Sequence, residues 1–274
     1  MPKTVVITGA SSGIGLACVK ASLAQGHNVI ATARNEPDLD NLQKLGATAL
    51  HLELLDQKSV NHAAATLLKI TDNHIDVLFN NAGYGLQTAM EDTTWQSLTD
   101  QHTANVIGPV QLTNLLLPAM HSGSKLIFNG SVLGVITVAF RGPYCMTKYA
   151  LEAAVDAYRL ELETKGISVH LIQPGPIEAK FRSNALSAIK RTLNGKSTRL
   201  DYSNHLARLQ KIENTKGTLP ASSVADIFLG IVEGSHKKTR YLVTSTAKSA
   251  ATLKRLLGDG FHRIAKRAEA VKEA

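Results

Sequence analysis

Seven short apolar runs, separated by longer segments of helical periodicity, constrain the fold of this chain more than any other feature. The runs are continuously apolar rather than alternating with polar residues, as expected for strands that helices cover on both faces. The alternation of strand-like runs with helical segments predicts a doubly wound α/β fold with one parallel seven-stranded sheet and right-handed crossovers. The predicted strands are Lys3–Gly9, His27–Arg34, Thr48–Leu54, Ile75–Gly83, Lys125–Ser131, Ile167–Gly175 and Arg240–Ser245. The predicted helices are Ile14–Gln25, Pro37–Leu45, Lys58–Ile70, Trp95–Met120, Lys148–Lys165 and Ala221–Glu233.

The segment TGASSGIG, residues 8–15, follows the first predicted strand and opens the first predicted helix. Its three glycines let the backbone turn tightly and approach a pyrophosphate without a clash from a Cβ atom. The N–H groups at the helix start and the positive end of the helix dipole would then face the anion. Three glycines also fit an ordinary structural turn, so it is their position after the first strand that favours a dinucleotide-binding loop.

The end of the second predicted strand, ATARN, bears on which nicotinamide cofactor the chain prefers. An acidic residue there would accept hydrogen bonds from the adenosine ribose and repel a 2′-phosphate. This chain has alanine at that position, followed by Arg34, whose guanidinium matches a phosphate in a bidentate way. The sequence therefore favours NADP(H) over NAD(H); the alternative is an exposed arginine in a loop.

Tyr144 and Lys148 lie four residues apart in a helical segment, so their side chains share one face. A tyrosine is a poor acid at neutral pH, but a nearby ammonium stabilises the phenolate and lowers the phenol pKa. Tyr144 is therefore predicted to be the general acid when a carbonyl is reduced and the general base when an alcohol is oxidised. Such a pair is more often structural when it stands alone, so the prediction also depends on Ser131 and the glycine loop.

Several motifs in register resemble the classical branch of the short-chain dehydrogenase/reductase family. They are TGASSGIG at 8–15, NNAG at 80–83, Asn105 in ANVIG, Ser131, YCMTK at 144–148 and PGPI at 174–177. The resemblance implies a Rossmann-like sheet. Within the family, RGPYCMTKYALEAAVDAYRLEL and the C-terminal segment resemble the 17β-hydroxysteroid dehydrogenase-like group, which includes steroid and retinol dehydrogenases and bacterial aldehyde reductases.

The resemblance also implies a role for each matching residue. Ser131 would donate a hydrogen bond to the substrate oxygen, and Asn105 would hold a water that relays protons to Lys148. Lys148 would in addition bind the nicotinamide ribose. The implied catalytic residues are Asn105, Ser131, Tyr144 and Lys148. The implied cofactor-binding residues are Gly9, Ser11, Ser12, Gly13, Ile14, Gly15, Arg34, Glu53, Leu54, Asn81, Ala82, Gly83, Tyr144, Lys148, Pro174, Gly175 and Ile177.

Two positions depart from the family pattern. Ala179 stands where a threonine hydroxyl often helps to hold the cofactor, so this contact is missing. Glu53 stands where aspartate is usual at the end of the third strand. It leaves a carboxylate, one methylene longer, to meet the adenine amino group.

Residues 1–245 are predicted to form a single cofactor-binding domain, and residues 246–274 a basic helical extension. Within the domain, residues 181–220 are polar and follow the sixth strand, where ligands bind in such sheets. They are predicted to form a substrate lid; an ordinary surface excursion is the alternative. From His236 onward the chain carries ten Lys or Arg and three Asp or Glu, most of its net charge of +8. This tail could pack on the protein, cap the cleft or lie on an anionic membrane.

Other classes of site find little support in the sequence. The ten histidines show no metal-ligand spacing, and the tail lacks the interleaved aromatic residues of single-strand nucleic-acid binders. No metal site and no nucleic-acid partner are therefore predicted. Cys18 and Cys145 fit free thiols in a reducing compartment. With no predicted bilayer-spanning run and no secretory signal, a cytoplasmic location is expected.

Together these features predict an NADP(H)-dependent oxidoreductase that reduces an aldehyde or ketone, most simply a lipophilic one, to an alcohol. The family resemblance implies a homodimer or homotetramer. Three alternatives remain at this stage: a dinucleotide-binding sensor or scaffold without turnover, a steroid or retinol dehydrogenase that works in the oxidative direction, and a reductase attached to a membrane.

Overall fold

The seven predicted strands pair in one parallel sheet in the computed structural model, which describes residues 1–178, 181–210 and 217–268. The strand order is β3-β2-β1-β4-β5-β6-β7, so the order reverses between β1 and β4. This arrangement confirms the predicted Rossmann-like, doubly wound sheet. The strands are β1 (Thr4–Ile7), β2 (Asn28–Ala33), β3 (Thr48–His51), β4 (Ile75–Asn80), β5 (Met120–Asn129), β6 (Ser168–Gln173) and β7 (Arg240–Leu242).

Helices cover both faces of the sheet, and an apolar core fills the space on each side. The helices are α1 (Gly13–Ala24), α2 (Glu36–Lys44), α3 (Gln57–Ile70), α4 (Trp95–His102), α5 (Gly108–Leu116), α6 (Gly142–Leu162), α7 (Phe181–Leu193), α8 (Ser203–Gln210), α9 (Ser222–Val232), α10 (Ser245–Leu257) and α11 (Phe261–Ala268). On one face α3, α5 and α6 bury side chains such as Leu67, Leu112 and Val155. On the other face α1, α2 and α9 bury side chains such as Val19 and Phe228.

The long helix predicted over Trp95–Met120 is wrong in one respect, because the structure divides it. A π-helical segment, Thr103–Ile107, separates α4 from α5, and β5 already begins at Met120. The physical reason for the division is Pro109, which has no N–H and so cannot donate to the carbonyl of Asn105, four residues earlier. Here the Gly108 N–H bonds instead to the Thr103 carbonyl, five residues back.

The other predicted helices differ from the structure mainly at their ends. The largest difference is in α6, which begins at Gly142, six residues before the predicted start at Lys148. Tyr144 and Lys148 therefore both lie in the first two turns of one regular helix. This placement brings them next to the carboxyl ends of the central strands, where ligands bind in open α/β sheets.

The segments predicted as lid and tail contain helices. Residues 181–220 include α7 and α8, and the tail comprises α10, a 3₁₀ turn at Gly258–Gly260 and α11. Gly258 and Gly260 in this turn separate the two helices of the tail. Ala179, one of the two departures from the family pattern, lies outside the described residues, as does the end of the tail after residue 268. Across the part of the chain that the structure describes, no helix combines the length and apolar character needed to cross a bilayer.

Candidate active site

The glycine loop packs directly against the segment that follows β4. Gly9 has a φ of +65°, and a Cβ atom there would lie 2.6 Å from the Cα of Ala82. A Cβ atom at Gly15 would lie 2.6 Å from the amide nitrogen of Asn81 and clash with the Gly9 carbonyl. Only glycine fits these two positions, so the loop and the NNAG segment form one tightly packed cradle.

Thr8 joins the two sides of this cradle. Its hydroxyl accepts hydrogen bonds from the backbone N–H groups of Asn81 and Ala82, both at 3.0 Å. The Asn81 amide donates in return to the carbonyls of Thr8 and Gly9, at 2.9 and 3.0 Å. Asn129 completes the set by donating to the Asn81 side-chain oxygen at 2.9 Å. Asn81, predicted to line the cofactor, therefore also holds the loop in shape, and Thr8 and Asn129 are supports that the sequence prediction missed.

The start of α1 is available to an anion. Ser12 is the N-cap residue, but its side chain makes no capping hydrogen bond, and the first turn carries no acidic residue. By contrast, side chains cap α3 and α10, through Asp56 and Thr244. Uncapped N–H groups at a helix start, beside a cradle that a Cβ atom would fill, fit the pyrophosphate of a dinucleotide. The half-buried Ser11 and Ile14 lie in the same turn.

Arg34 and Glu53, predicted to contact the adenosine end, meet at the ends of β2 and β3. The side chain of Arg34 is 61% exposed, and its Nη1 lies 3.5 Å from Oε2 of Glu53. Glu53 also accepts the N–H of Leu55 through Oε1 at 3.0 Å. Exposed ion pairs of this kind are weak, so Arg34 can turn to a phosphate at little cost. Leu54, by contrast, is buried in the core.

Tyr144 and Lys148 are both buried, 8% and 6% exposed, and lie side by side. The Lys148 Nζ atom is 5.6 Å from the centre of the Tyr144 ring, and it donates to the carbonyl of Asn129 at 2.7 Å. The structure thus brings the predicted pair together at the carboxyl end of β5, as the helical spacing requires.

The predicted lowering of the Tyr144 pKa is wrong for this conformation. Burial raises the pKa of Tyr144 above its usual range, and a hydrogen bond with Ser131 only partly opposes that rise. Burial also lowers the pKa of Lys148 to about 8, although the Glu152 carboxylate raises it somewhat. Apolar surroundings disfavour both the phenolate and the ammonium, and for each group burial has the largest effect on the pKa.

Asn105 lies in the π-helical segment and is 2% exposed. Its side chain accepts the N–H of Tyr84 at 3.0 Å and donates to the Tyr84 carbonyl at 2.9 Å and the Thr147 hydroxyl at 3.1 Å. Both amide hydrogens and one lone pair of the amide oxygen are thus used in tying the loop after β4 to α6. A water relay at Asn105 would have to use the second lone pair of this oxygen or the backbone carbonyl, to which Pro109 has no N–H to donate.

Ser131 and the PGPI segment are held together after β5 and β6. The Ser131 hydroxyl accepts the N–H of Leu133 at 3.1 Å, and the N–H of Val132 bonds to the Pro174 carbonyl at 3.0 Å. Gly175 lies against Thr244, where a Cβ atom would clash. Next to Ile177, the carbonyl of Pro176 and the N–H of Glu178 form hydrogen bonds with the backbone of Leu219. The N–H and the carbonyl of Ile177 itself therefore face the opposite side.

Two aromatic residues, unassigned by the sequence prediction, cover Tyr144. The ring of Phe181, the first residue of α7, lies 5.4 Å from the Tyr144 ring between centroids. Phe261, the first residue of α11, is buried in the same apolar cluster as Tyr144 and Leu133. The start of the lid segment and the tail therefore both enclose the site. Their roles depend on contacts with residues far away in sequence, which spacing does not reveal.

Known proteins similar to this chain include dehydrogenases and reductases. A family model described as short chain dehydrogenase matches residues 3–190. An uncharacterized oxidoreductase of Escherichia coli, YbbO, is 36% identical over 94% of this chain and 91% of its own length. The NADPH-dependent 3-dehydrocapnine reductase of Ornithobacterium rhinotracheale is 31% identical over 87% of each chain. A short-chain dehydrogenase/reductase from Burkholderia phymatum, solved with NAD, shares the fold with a TM-score of 0.79 at 20% identity, over 94% of each chain.

Proposed function

Because this chain belongs to the short-chain dehydrogenase family, we propose that it is an NADP(H)-dependent oxidoreductase that reduces an aldehyde or ketone to an alcohol. The observation that carries this proposal is the convergence of Ser131, Tyr144 and Lys148 beside a glycine cradle that fits a dinucleotide. When bound, the nicotinamide would supply the hydride. The protein would supply binding, orientation and the proton.

The buried tyrosine would deliver the proton to the developing alkoxide. Tyr144 carries its proton at neutral pH, as an ordinary tyrosine does, and can serve as the acid, although burial raises its pKa and makes it a weaker one. Ser131, which lies near Tyr144, would share the charge that develops on the substrate oxygen. Lys148, with a pKa of about 8, changes protonation near neutrality and can pass a proton toward the phenol. The same groups would serve the oxidative direction of a steroid or retinol dehydrogenase, with the phenolate of Tyr144 as the base.

Two observations support the proposed preference for NADP(H): the position of Arg34 and the cofactor named for a similar reductase. Arg34 is exposed at the end of β2, where a 2′-phosphate of a bound dinucleotide would lie, and its present partner Glu53 holds it weakly. The 3-dehydrocapnine reductase is named as NADPH-dependent and aligns over most of this chain. Both observations support NADP(H), with NAD(H) as the alternative.

The walls around Tyr144 support a lipophilic substrate. The cluster that encloses the phenol is made of Val132, Leu133, Ile136, Cys145, Ala247, Phe261 and Ala265. Phe181 lies across the ring of Tyr144, and α7 and α8 belong to the proposed lid. An apolar enclosure of this kind favours an aliphatic or aromatic carbonyl compound, because burial of its apolar surface contributes binding energy.

Consumption of NADPH with a series of aliphatic and aromatic aldehydes tests the proposal. Tyr144→Phe should reduce turnover at least about 100-fold while dinucleotide binding persists. Tyr149→Phe, which changes an exposed tyrosine on the same helix, is the matched control and should behave as the parent. If the parent binds NADPH but turns over no carbonyl, the sensor or scaffold alternative gains support. If Tyr144→Phe retains the parent rate, Tyr144 is not the acid.

We further propose that the protein forms a homodimer or homotetramer through α6. Met146, Tyr149 and Leu160 are exposed apolar side chains that helical periodicity places on one face of this helix. Exposed apolar patches of this kind commonly mark interfaces between subunits. Sedimentation velocity of the parent and of Leu160→Glu checks this: the variant should shift to a smaller species, and equal sedimentation would contradict it.

For the tail, burial of Phe261 and Ala265 beside Tyr144 supports packing over the site. Leu256 and Ile264 are exposed near basic residues, which supports a contact with anionic membranes as the second possibility. Co-sedimentation with anionic liposomes, comparing the parent with Leu256→Glu, separates the two. Cys18 and Cys145 are buried and are not joined in a disulfide, which supports a reducing compartment such as the cytoplasm.

A further inference from the structure

Three potential metal ligands meet at the end of the sheet opposite the active site. His74 lies just before β4, Asp76 lies within β4, and His121 lies near the start of β5. Asp76 precedes Asn80, the last residue of β4, by four positions, or roughly 13 Å along the strand. The hydride-transfer machinery does not reach this edge, so the cluster has no part in the proposed reaction.

The three facing atoms form a nearly equilateral triangle. His74 Nε2 and His121 Nε2 are 3.1 Å apart, and they lie 3.4 and 3.5 Å, respectively, from Oδ1 of Asp76. In a tetrahedral zinc site with bonds of about 2.0–2.2 Å, neighbouring ligand atoms are separated by roughly 3.3–3.6 Å. The triangle therefore matches one face of such a tetrahedron, with the fourth position left to solvent.

The neighbouring hydrogen bonds orient two of these ligands. The carbonyl of Ser122 lies 3.0 Å from Nδ1 of His121 and can only accept, so this nitrogen carries the hydrogen and Nε2 keeps its lone pair. The second carboxylate oxygen of Asp76, Oδ2, accepts the backbone N–H of Thr4 at 2.7 Å. Two electron-pair donors, His121 Nε2 and Asp76 Oδ1, thus face each other. Metal-ligating histidines and carboxylates typically have such outer partners.

The local backbone explains how residues so distant in sequence meet. The pairing of β4 with β5 shifts register between Ile75 and Val77, and this irregularity places the start of β5 beside the turn that precedes β4. The two imidazole rings stack with centroids 4.2 Å apart. Because 47 positions separate His74 from His121, the spacing of histidines in the sequence gives no sign of a site.

The charges around the cluster limit how tightly a cation would bind. Lys125 interacts with the Asp76 carboxylate, and Lys3 lies close to Lys125. The Lys3 ammonium itself turns away to the Val232 carbonyl at 2.8 Å and to Glu233 at 3.2 Å. These lysines partly offset the attraction of Asp76, so we expect weaker binding than at a four-ligand structural zinc site.

We propose that His74, Asp76 and His121 form a binding site for a divalent transition-metal ion, best matched by Zn²⁺. Two imidazoles and one carboxylate suit Zn²⁺, Ni²⁺ or Cu²⁺, whereas Mg²⁺ and Ca²⁺ require oxygen ligands. The ion would join the turn after α3 to β5 and, through Asp76, to the first residue of β1. Because these ligands converge only in the folded chain, binding should stabilise the native state by mass action.

Calorimetric titration of tag-free protein with Zn²⁺ tests the site. The parent should bind one equivalent of Zn²⁺. His121→Gln and Asp76→Asn should each lower the affinity for Zn²⁺ at least about 10-fold. Asp76→Asn retains an oxygen for the Thr4 N–H, so it removes the charge with little change in shape. His62→Gln changes an exposed histidine on α3 outside the cluster and should bind Zn²⁺ as the parent does. The proposal is overturned if the parent binds no stoichiometric Zn²⁺, or if His121→Gln binds it with parental affinity.

Thermal melting gives a second readout that is independent of turnover. Zn²⁺ should raise the melting temperature of the parent and of His62→Gln, and leave that of His121→Gln unchanged. NADPH binding by every variant, at the other end of the sheet, verifies that each is folded. An equal zinc-induced shift in the parent and in His121→Gln would also overturn the proposal.

Discussion

Replacement of Lys148 by methionine should change how the stability of the protein depends on pH. Burial lowers the pKa of Lys148 from 10.5 to about 8 in the folded state, while the unfolded chain keeps the ordinary value. Between pH 8 and 10.5 the unfolded state therefore binds a proton that the folded state does not. Stability then rises with pH in this window. At about 1.4 kcal/mol per pKa unit, the full rise is on the order of 3 kcal/mol.

Urea unfolding of the cofactor-free protein at several pH values between 7 and 10.5 measures this effect. The difference in unfolding free energy between the parent and Lys148→Met should move by about 3 kcal/mol in favour of the parent as the pH rises. The variant also loses the hydrogen bond to the Asn129 carbonyl. This loss lowers the unfolding free energy of the variant by the same amount at every pH, so it does not change how the difference depends on pH. Lys20→Met, at an exposed position on α1, is the control and should run parallel to the parent. Parallel curves for Lys148→Met would refute the reasoning, because they would mean that Lys148 titrates normally in the folded protein.

Three further substitutions test other parts of the site. Arg34→Ala should weaken NADPH binding about 10-fold, because a charged hydrogen bond to the phosphate is lost, and should leave NADH binding unchanged. Fluorescence titration measures both affinities, and equal losses would mean that the role of Arg34 is structural. Phe181→Ala should lower the KM for bulky aldehydes by uncovering Tyr144, with little change for small ones, and an unchanged KM for both would remove Phe181 from the entrance. Thr8→Val leaves the Asn81 N–H without its acceptor, so urea unfolding should show a loss of about 1–3 kcal/mol, and undiminished stability would contradict that role.

The sequence predicted the sheet because each strand is a continuous apolar run bounded by a glycine loop or a helix. The prediction failed where polarity hid the structure. Residues 120–124, MHSGS, are mostly polar, so the start of β5 was missed and the preceding helix was extended to Met120, the first residue of β5. Pro109 marked the break in that helix, but periodicity averaged over a long window concealed it. Both errors arose because single residues, rather than the average periodicity, determine where the helix breaks and where the strand begins.

The reacting groups were predictable because helical spacing alone fixes Tyr144 and Lys148 on one face. Their pKa values were not predictable, because burial depends on side chains that come from elsewhere in the chain. Phe181, from the lid segment, lies against the Tyr144 ring, and Phe261, from the tail, belongs to the same apolar cluster; neither has a fixed spacing to Tyr144. The same holds for Thr8, whose partners lie more than 70 positions away.

The enclosure of Tyr144 connects the burial of the site with the acid–base step of the proposed reaction. Phe181 and the apolar cluster around Tyr144 keep the phenol in apolar surroundings, which raises its pKa. A raised pKa makes the protonated phenol a weaker acid and the phenolate scarcer, so the cover by itself favours neither reduction nor oxidation. Charge that develops on the substrate oxygen would have to offset this effect during the reaction. The apolar cover therefore bears on substrate choice, and it supports a lipophilic carbonyl compound as the substrate.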